Sequence, residues 1–353
     1  MPCGLPCLPE QTRALRAEAE QQGTGHAQLD LICPGLTSLC PFPVFVFPLV
    51  SLSREGVPMS EPRPKTLRLL FPQWQGGYDE TEYPGQIYAF GARLLAFLAP
   101  ESPAPAIEVP VPAWHEGTDA PEEGGVFFRS ALLAQARAAA KILQEHRPDR
   151  VLTFGGDCLV SQSPLAYLNE RYEGRLGVLW IDAHPDITTP ADFNHAHAMV
   201  LGNLLGYGEP GLANLVKKPL SPSQITYVGV DSMFGHESAF LAEHGLNRIE
   251  STAVRADSGP VLEWIEKSGF EQVFIHLDID VLDPAFFRSQ LFANPDVDEY
   301  IESEHGKLRL HEVARLLQDV DRATTVAGMS IAEYMPWDAL NLKKMLASLS
   351  FMH

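Results

Sequence analysis

The sequence contains little cysteine and little positive charge. Four of the five cysteines, Cys3, Cys7, Cys33 and Cys40, lie in the first forty residues, and Cys158 is alone in the remainder. A disulfide-stabilised secreted domain needs more cysteines at closer spacing, so we expect a reducing, cytoplasmic environment. The chain has 26 Lys and Arg against 45 Asp and Glu, a formal charge of −19. Nucleic acid and anionic membranes are therefore not expected as partners.

Long apolar runs and a Walker-type phosphate loop are also missing. The most apolar stretch, CPFPVFVFPLVSL (40–52), is too short to span a bilayer and contains three prolines. Hydrophobic residues nevertheless make up 45% of the 353 residues, which is enough to bury a substantial core. The composition therefore favours a globular protein over a membrane-spanning or disordered one.

The first 58 residues differ in composition from the rest of the chain. They are rich in Pro, Gly and Cys, and only the stretch around QTRALRAEAEQQ has a helical pattern. We expect residues 1–58 to form a disordered or loosely docked extension and residues 59–353 to form the main folded domain. An alternative hypothesis is that Met59 is the natural start of the protein.

Short apolar runs alternate with amphipathic segments from residue 59 onward. The apolar runs predict strands at 66–72, 150–154, 177–181, 225–230, 272–277 and 324–332. The amphipathic segments predict helices at about 86–98, 129–146, 260–269 and 310–320. Strands that are apolar throughout and alternate with helices indicate an α/β fold, with a mostly parallel sheet covered on both faces.

Four of the predicted strands run directly into polar residues suited to chemistry. RVLTF is followed by GGDC, GVLWI by DAHPD, QVFIHL by DIDVLDP, and TTVAGMSIA by EYMP. Ligands of open parallel sheets bind at the carboxyl ends of the strands. These four segments therefore predict one shared site at one edge of the sheet.

Two of these segments carry ionisable side chains at every second position. In extended backbone this spacing places Asp182, His184 and Asp186 on one side, and Asp278 and Asp280 repeat the arrangement. Carboxylates this close repel each other unless a cation lies between them. Oxygen ligands with an imidazole suit Mn²⁺ or Mg²⁺, and imidazole also suits Zn, Fe and Ni. The pattern predicts one or two divalent metals, although a capped turn would explain DAHPD taken alone.

Four motifs in this order resemble those of a known family. GGD, DAHPD, DIDVLDP and the glutamate of AEYMP are similar to the signature motifs of the ureohydrolases, the family of arginases and agmatinases. The resemblance implies a three-layer α/β/α arginase-like fold and a binuclear manganese site, with two Mn²⁺ per chain. It also implies hydrolysis of a linear guanidino or amidino C–N bond in a small cationic substrate, by a homo-oligomer.

The resemblance assigns metal-binding roles to five residues. Asp182 and Asp278 would be the bridging carboxylates. His184 and Asp280 would complete the shell of one metal, and Asp186 would serve the other.

The resemblance also assigns roles beside the metals. Asp157 would orient the site from outside the metal shell, and Glu333 would accept hydrogen bonds from the guanidinium. A histidine in an HGMP-like segment would supply the proton to the leaving amine. Within FNHAHAMVLGNLLG, this segment matches best from His197, and His195 is the second candidate because FNHA matches a related FDHG pattern.

Cys158 departs from the family pattern, which has a metal-binding histidine after GGD. A cysteine thiolate can also bind a metal, but it is a softer ligand than Mn²⁺ prefers. Cys158 therefore weakens one manganese site, shifts its preference toward Zn, Fe, Co or Ni, or leaves it empty. The alternatives are a buried, inert thiol and, with least support, a nucleophile.

Two loops also depart from the family pattern. ITTPADFNHAHA lacks the Asn- and Ser-bearing stretch with which arginases hold an amino acid head group, so free arginine is not the expected substrate. The segment after DVLDP contains Arg288, which could pair with a substrate carboxylate if it faced the cleft. Three functions stay open: an amidinohydrolase of unassigned substrate, a binding protein with an incomplete metal site, and a formimino or amide hydrolase.

Overall fold

A computed structural model of the chain describes residues 64–78, 85–115, 117–297 and 304–352. The predicted extension over residues 1–58 and the alternative start at Met59 lie outside these ranges, so the boundary at residue 59 stays a prediction. The described strands are β1 (Thr66–Phe71), β2 (Ala106–Glu108), β3 (Glu122–Glu123), β4 (Val126–Phe127), β5 (Arg150–Gly155), β6 (Leu176–Ile181), β7 (Ile225–Val228), β8 (Asn247–Ile249), β9 (Gln272–Asp278) and β10 (Thr325–Ala332). The described α-helices are α1 (Gln86–Leu98), α2 (Arg129–His146), α3 (Gln162–Arg171), α4 (Val200–Leu205), α5 (Pro210–Ala213), α6 (Gly235–His244), α7 (Ser251–Ala256), α8 (Gly259–Ser268), α9 (Leu310–Ala323) and α10 (Trp337–Ala347). None of these helices is both long and apolar enough to cross a lipid bilayer.

Eight strands form one parallel sheet in the order β2-β1-β5-β10-β9-β6-β7-β8, and β3 pairs with β4 in a separate antiparallel hairpin. The predicted parallel α/β sheet is thus confirmed. The edge strands β2 and β8 were not predicted because each has only three residues and is largely exposed. Such short strands carry no apolar run that a sequence pattern could detect.

Alternate side chains of the central strands enter two hydrophobic clusters, one on each face of the sheet. Trp180 and Phe274 belong to the cluster that contains the apolar faces of α2 and α3. Ile275 and Leu277 belong to the cluster that contains the apolar faces of α8 and α9. Complete burial of one such side chain contributes about 1.5–3 kcal/mol. The result is the predicted three-layer α/β/α arrangement.

The four strands that carry the predicted motifs are neighbours in the centre of the sheet, in the order β5-β10-β9-β6. Ile181 pairs with Leu277, and Asp278 pairs with Ala332, so β6, β9 and β10 end at nearly the same level. The chain segments after these strands therefore leave the sheet side by side, at its carboxyl edge.

Candidate metal centre

The turn after β5 places Cys158 at the floor of the site. It is a 3₁₀ turn, Cys158–Ser161, and the buried Asp157 caps it. The Asp157 carboxylate accepts hydrogen bonds from the N–H groups of Leu159 (3.1 Å) and Gly76 (2.8 Å). Asp157 thus joins the turn to the loop after β1. The orienting role expected for it stays a prediction.

Cys158 is surrounded by acids. Its side chain is 3% exposed, and its thiol donates to Asp278 Oδ2 at 2.8 Å and lies 3.5 Å from Glu333 Oε1. Its N–H also donates to Glu333 Oε1, at 3.2 Å. Burial, followed by the charge of Asp278, raises the pKa of the Cys158 thiol well above its usual value. Without a cation beside it the sulfur keeps its proton, which disfavours the nucleophile hypothesis.

The segment after β6 begins with a fully buried carboxylate. Asp182 Oδ2 accepts a hydrogen bond from Trp180 Nε1–H at 3.0 Å, and Asp182 Oδ1 accepts one from the His184 N–H at 2.7 Å. Asp186 follows in left-handed backbone, with φ 50°, which aspartate tolerates better than most residues. Asp186 Oδ2 is buried and has no hydrogen-bond partner within the described ranges of the chain. An orphaned carboxylate oxygen is costly to bury unless a cation neutralises it.

The segment after β9 holds two more acids in a tight turn. Asp278 Oδ1 accepts a hydrogen bond from the Asp280 N–H at 2.7 Å. Asp280 Oδ2 lies 3.0 Å from His184 Nδ1, which joins the ends of β6 and β9. Both carboxylates are almost completely buried.

These residues form two clusters, in each of which the ligand atoms lie within 4.8 Å of one another. The Cys158 subsite consists of Cys158, Asp182, His276 and Asp278, and the His184 subsite consists of Asp182, His184 and Asp280. Asp182 belongs to both, as a bridging carboxylate would. Asp186 belongs to neither at this distance, although it lines the same cleft.

The charges of the site favour a cation. Burial, and then repulsion between neighbouring carboxylates, raises the pKa of four acids: Asp182, Asp186, Asp278 and Glu333. Asp280 is the exception. Burial alone would raise the pKa of its carboxyl, but the nearby His184 outweighs burial and lowers the pKa. Carboxylate, imidazole and thiolate donors crowded in a buried site fit divalent metal ions.

The two histidine candidates lie in different surroundings. His197 lines the cleft, and its Nδ1–H donates to the Gly76 carbonyl at 2.8 Å, which leaves Nε2 without a proton in the neutral ring. Burial, followed by the charge of His195, lowers the pKa of His197 to about 4. His195 instead stacks on Phe193, with ring centroids 4.5 Å apart, and packs edge-on against Phe127. The geometry favours His197 as the residue that meets a substrate.

A cleft of about 620 Å³ opens above the two subsites. Its rim carries aromatic and acidic side chains, namely Phe193, Phe234, Phe292, Asp192, Glu237 and Glu304. Among the described residues that line it there is no Lys or Arg. Arg288 lies outside this lining, exposed and 3.7 Å from Asp338, so the condition under which it would pair with a substrate carboxylate is not met.

Sequence reasoning missed His276 and Ser161. His276 precedes Asp278 by two residues in β9, so the period of two places both on the same face of the sheet. QVFIHLD carries that signal, but a histidine inside an apolar run has the same pattern as a core residue. Ser161 Oγ lies 2.7 Å from His276 Nδ1, a pairing over 115 residues that no local pattern indicates.

Comparison with known proteins relates this chain to one family. The sequence model of the Arginase family matches residues 129–345. An arginase of Entamoeba histolytica is 30% identical over 176 residues, which are 46% of this chain and 60% of that protein. The arginase of Bacillus caldovelox is 32% identical over 162 residues, 42% of this chain and 52% of that protein. The matched segment thus spans about half to three fifths of the length of these relatives.

Solved structures show the same fold over more of the chain. The Entamoeba histolytica arginase in complex with L-ornithine has a TM-score of 0.64 at 19% identity, covering 77% of this chain and 91% of that one. The Bacillus caldovelox arginase has a TM-score of 0.60 at 22% identity, covering 77% and 91%. A formimidoylglutamase of Bacillus subtilis has a TM-score of 0.57 at 16% identity, covering 77% and 79%. At these identities the likeness concerns the fold.

Proposed function

The chain belongs to the arginase family, and we propose that it is a metal-dependent hydrolase that cleaves a C–N bond of a linear guanidino or amidino group. One observation carries the proposal. The segments that follow β5, β6 and β9 bring Cys158, Asp182, His184, Asp278 and Asp280 into two clusters that share Asp182, and the cleft above them is also lined by Asp186, His197 and Glu333. Divalent ions bound there would supply an activated water at neutral pH.

Glu333 would receive the cationic group of the substrate. It follows β10, its N–H donates to the Gly156 carbonyl at 2.8 Å, and its backbone is left-handed, with φ 58°. Non-glycine residues rarely adopt this conformation, so the surrounding structure holds Glu333 in place against a local cost. A guanidinium in the cleft would donate charge-assisted hydrogen bonds to this carboxylate, which fixes the amidino carbon near the metal subsites.

His197 would move the proton that the reaction transfers. Its ring is neutral near pH 7, because burial lowers its pKa to about 4. Nε2 can therefore accept a proton from the attacking water and pass it to the leaving amine. Asp157 would act on this step indirectly. Its carboxylate accepts the Gly76 N–H, and the Gly76 carbonyl in turn accepts the His197 Nδ1–H.

The cleft lining indicates the substrate class. The rim combines phenyl rings with the acids Asp192, Glu237 and Glu304, and its described residues include no Lys or Arg. Such a rim suits a cationic substrate that carries no carboxylate. We therefore favour a guanidino or amidino group on an alkyl or aryl amine. Carboxylate-bearing substrates, including formimino amino acids, find no cationic partner among the described lining residues.

A substrate panel tests the proposal. The full chain would be loaded with Mn, Co, Ni, Fe or Zn and assayed on guanidino, amidino and formimino compounds for release of urea, formamide or ammonia. We expect turnover of at least one carboxylate-free guanidino or amidino compound with at least one metal. The absence of turnover for every compound and every metal would contradict the proposal and favour the binding-protein alternative.

Two histidine variants make the test specific. His197→Ala should lower kcat by about 10²–10⁴-fold with metal content unchanged, because general acid–base catalysis contributes on that order. His195→Ala is the matched control and should lower kcat far less, since the His195 ring packs between Phe193 and Phe127. Equal losses in both variants would contradict the assignment of His197.

The metal composition and the assembly also belong to the proposal. The His184 subsite, with one imidazole and two carboxylates, offers the harder ligands that Mn²⁺ prefers. The family resemblance predicts a homo-oligomer. Analytical ultracentrifugation of the purified chain would test this prediction by measuring the mass of the assembly.

A further inference from the structure

We infer that His276 is a metal ligand, and that it completes a four-coordinate site for Zn²⁺ with Cys158 and one oxygen from each of Asp182 and Asp278. The inference rests on the proposed function, because it assigns the ligands and the metal of one subsite of that centre. It adds a side chain from inside a β-strand to the ligands at the strand ends.

One nitrogen of His276 faces the site and has no hydrogen-bond partner among the residues that the structure describes. The residue is 0% exposed, and this nitrogen, Nε2, is completely buried. Asp182 Oδ2 lies 3.3 Å from it and already receives the Trp180 Nε1–H at 3.0 Å. A buried polar nitrogen without a partner is costly, so a ligand for it is expected.

The distances suit a tetrahedral metal. Zinc–nitrogen and zinc–oxygen bonds are about 2.0–2.1 Å, so two such ligands at tetrahedral corners lie about 3.3–3.4 Å apart. His276 Nε2 and Asp182 Oδ2 are separated by 3.3 Å. The ligand atoms of all four residues lie within 4.8 Å of one another. The shorter contact, 2.8 Å from Cys158 Sγ to Asp278 Oδ2, is an S–H···O hydrogen bond. Metal binding would break it by releasing the thiol proton to solvent.

Ser161 supports the ligand tautomer of His276. Its Oγ lies 2.7 Å from His276 Nδ1, and both residues are fully buried. Metal-binding histidines usually donate their second ring N–H to a fixed acceptor, which leaves the other nitrogen free for the metal. Ser161 lies on the same 3₁₀ turn as Cys158, so this turn supplies one ligand and anchors another.

The combination of ligands selects the metal. One thiolate, one imidazole and two carboxylate oxygens, at four-coordinate spacing, suit the borderline-soft Zn²⁺ better than Mn²⁺, which favours harder oxygen donors and higher coordination. Cys158 then replaces the family histidine as a ligand, and His276 restores an imidazole to the same ion.

Cobalt spectroscopy on the metal-free full chain tests the inference. Co²⁺ can replace Zn²⁺ in its binding sites, and its visible absorption spectrum depends on its ligands. The wild type should show a thiolate-to-cobalt charge-transfer band and intense visible bands of four-coordinate cobalt, and zinc binding should release a proton. Cys158→Ser should abolish the charge-transfer band. Competition with a chromophoric chelator gives the Kd for zinc in each variant.

Two variants address His276 itself. His276→Asn removes Nε2 but keeps a polar atom near Ser161. It should weaken zinc binding by more than about 100-fold, which exceeds the effect of losing a residue that only hydrogen-bonds to a ligand. Ser161→Ala should weaken it by about 10–100-fold, the usual effect of losing an outer partner. If His276→Asn does not fold, X-ray absorption spectroscopy at the zinc edge of the wild type with one equivalent of zinc would identify the zinc ligands. One sulfur and one imidazole would support the inference, and sulfur without imidazole would overturn it.

Two results would overturn the inference: a wild type without a charge-transfer band, or a His276→Asn variant with wild-type zinc affinity and cobalt spectrum. The second result would leave His276 as a residue that only positions Asp182. Neither readout depends on turnover. A chain with the cobalt spectrum but no hydrolysis would refute the proposed function alone, and an active chain with two Mn²⁺ and no band would refute this inference alone.

Discussion

The two metal subsites share Asp182 but differ in almost every other respect. The Cys158 subsite is the more deeply buried of the two, and its residues Cys158 and His276 are 3% and 0% exposed. The His184 subsite lies at the cleft, and the His184 side chain is 38% exposed. One subsite contains sulfur and a nitrogen to which no described residue hydrogen-bonds, and the other contains an imidazole in contact with Asp280 Oδ2 at 3.0 Å.

This difference shows how one strand edge can build two chemically distinct sites. The carboxylates at the strand ends are hard ligands, and beside them the His184 side chain is partly exposed. His276, two residues before Asp278 in β9, is fully buried and faces the turn that carries Cys158 and Ser161. Cys158 is tolerated in this buried position because the thiol stays protonated until a metal displaces the proton.

The largest expected effect is the loss of both ions when the shared carboxylate is changed. Asp182→Asn should leave less than one metal per chain and abolish hydrolysis, because Asp182 belongs to both subsites. Asp280→Asn should lose one ion and keep the cobalt charge-transfer band, because Asp280 belongs only to the His184 subsite. Elemental analysis after dialysis measures both. Asp338→Asn is the control, because Asp338 is an exposed acid beside Arg288. Equal metal loss in the Asp280 and Asp182 variants would contradict the division into two subsites.

A smaller loss of activity is expected from a substitution that shifts His197 but leaves the metal ligands in place. In Gly76→Ala the new Cβ would lie 2.8 Å from Asp157 Oδ1, which displaces the peptide that binds His197. Misplacement of a catalytic group by about 1 Å costs on the order of 10²-fold in rate. We expect a loss of that order in kcat with metal content unchanged. Gly235→Ala is the matched control, because a Cβ there would meet no atom of the described residues within 4 Å. Loss of metal in Gly76→Ala would show that this loop supports the subsites directly.

The smallest effect concerns the pH dependence of the metal-free protein. Burial raises the pKa of Asp157 to about 7, and it raises the pKa of Asp182 and Asp278 as well. The unfolded chain loses these protons near pH 4, whereas the folded protein retains them to higher pH. Stability should therefore fall as pH rises from about 5 to about 8, because the folded state binds more protons in this range.

Thermal unfolding of metal-free and metal-loaded protein measures this dependence. His184, whose pKa is raised because Asp280 and its neighbours outweigh burial, acts in the same direction above pH 6.5. The metal-free protein should lose a few degrees of Tm over the range, and zinc or manganese should reverse the trend because ligands bind metal in their deprotonated form. A Tm of the metal-free protein that rises with pH would contradict the assignment of excess protons to the folded site.

The sequence predicts the strand ends well because two local signals coincide there. Asp182 and Asp278 follow apolar runs, and the rule that ligands meet at the carboxyl ends of parallel strands brings them together without knowledge of the strand order. The α1 and α2 boundaries coincide with the predicted 86–98 and 129–146 because their apolar positions follow the helical period.

The remaining parts of the site depend on contacts between distant residues. Gly76 meets Asp157 over 81 residues, and Ser161 meets His276 over 115. No periodicity encodes such pairings, since they follow from the order of strands in the sheet and from the path of one turn. His276 was visible in the sequence, but only its surroundings distinguish a ligand from a core histidine.

The most direct test is to reconstitute the metal-free chain with one equivalent of zinc and an excess of manganese. Elemental analysis would then be combined with electron paramagnetic resonance of the bound manganese. The account predicts one zinc and one manganese per chain, with the manganese signal of an isolated ion, because zinc takes the Cys158 subsite and manganese takes the His184 subsite. Two manganese ions per chain with zinc left in the buffer, or a chain without bound metal, would contradict it.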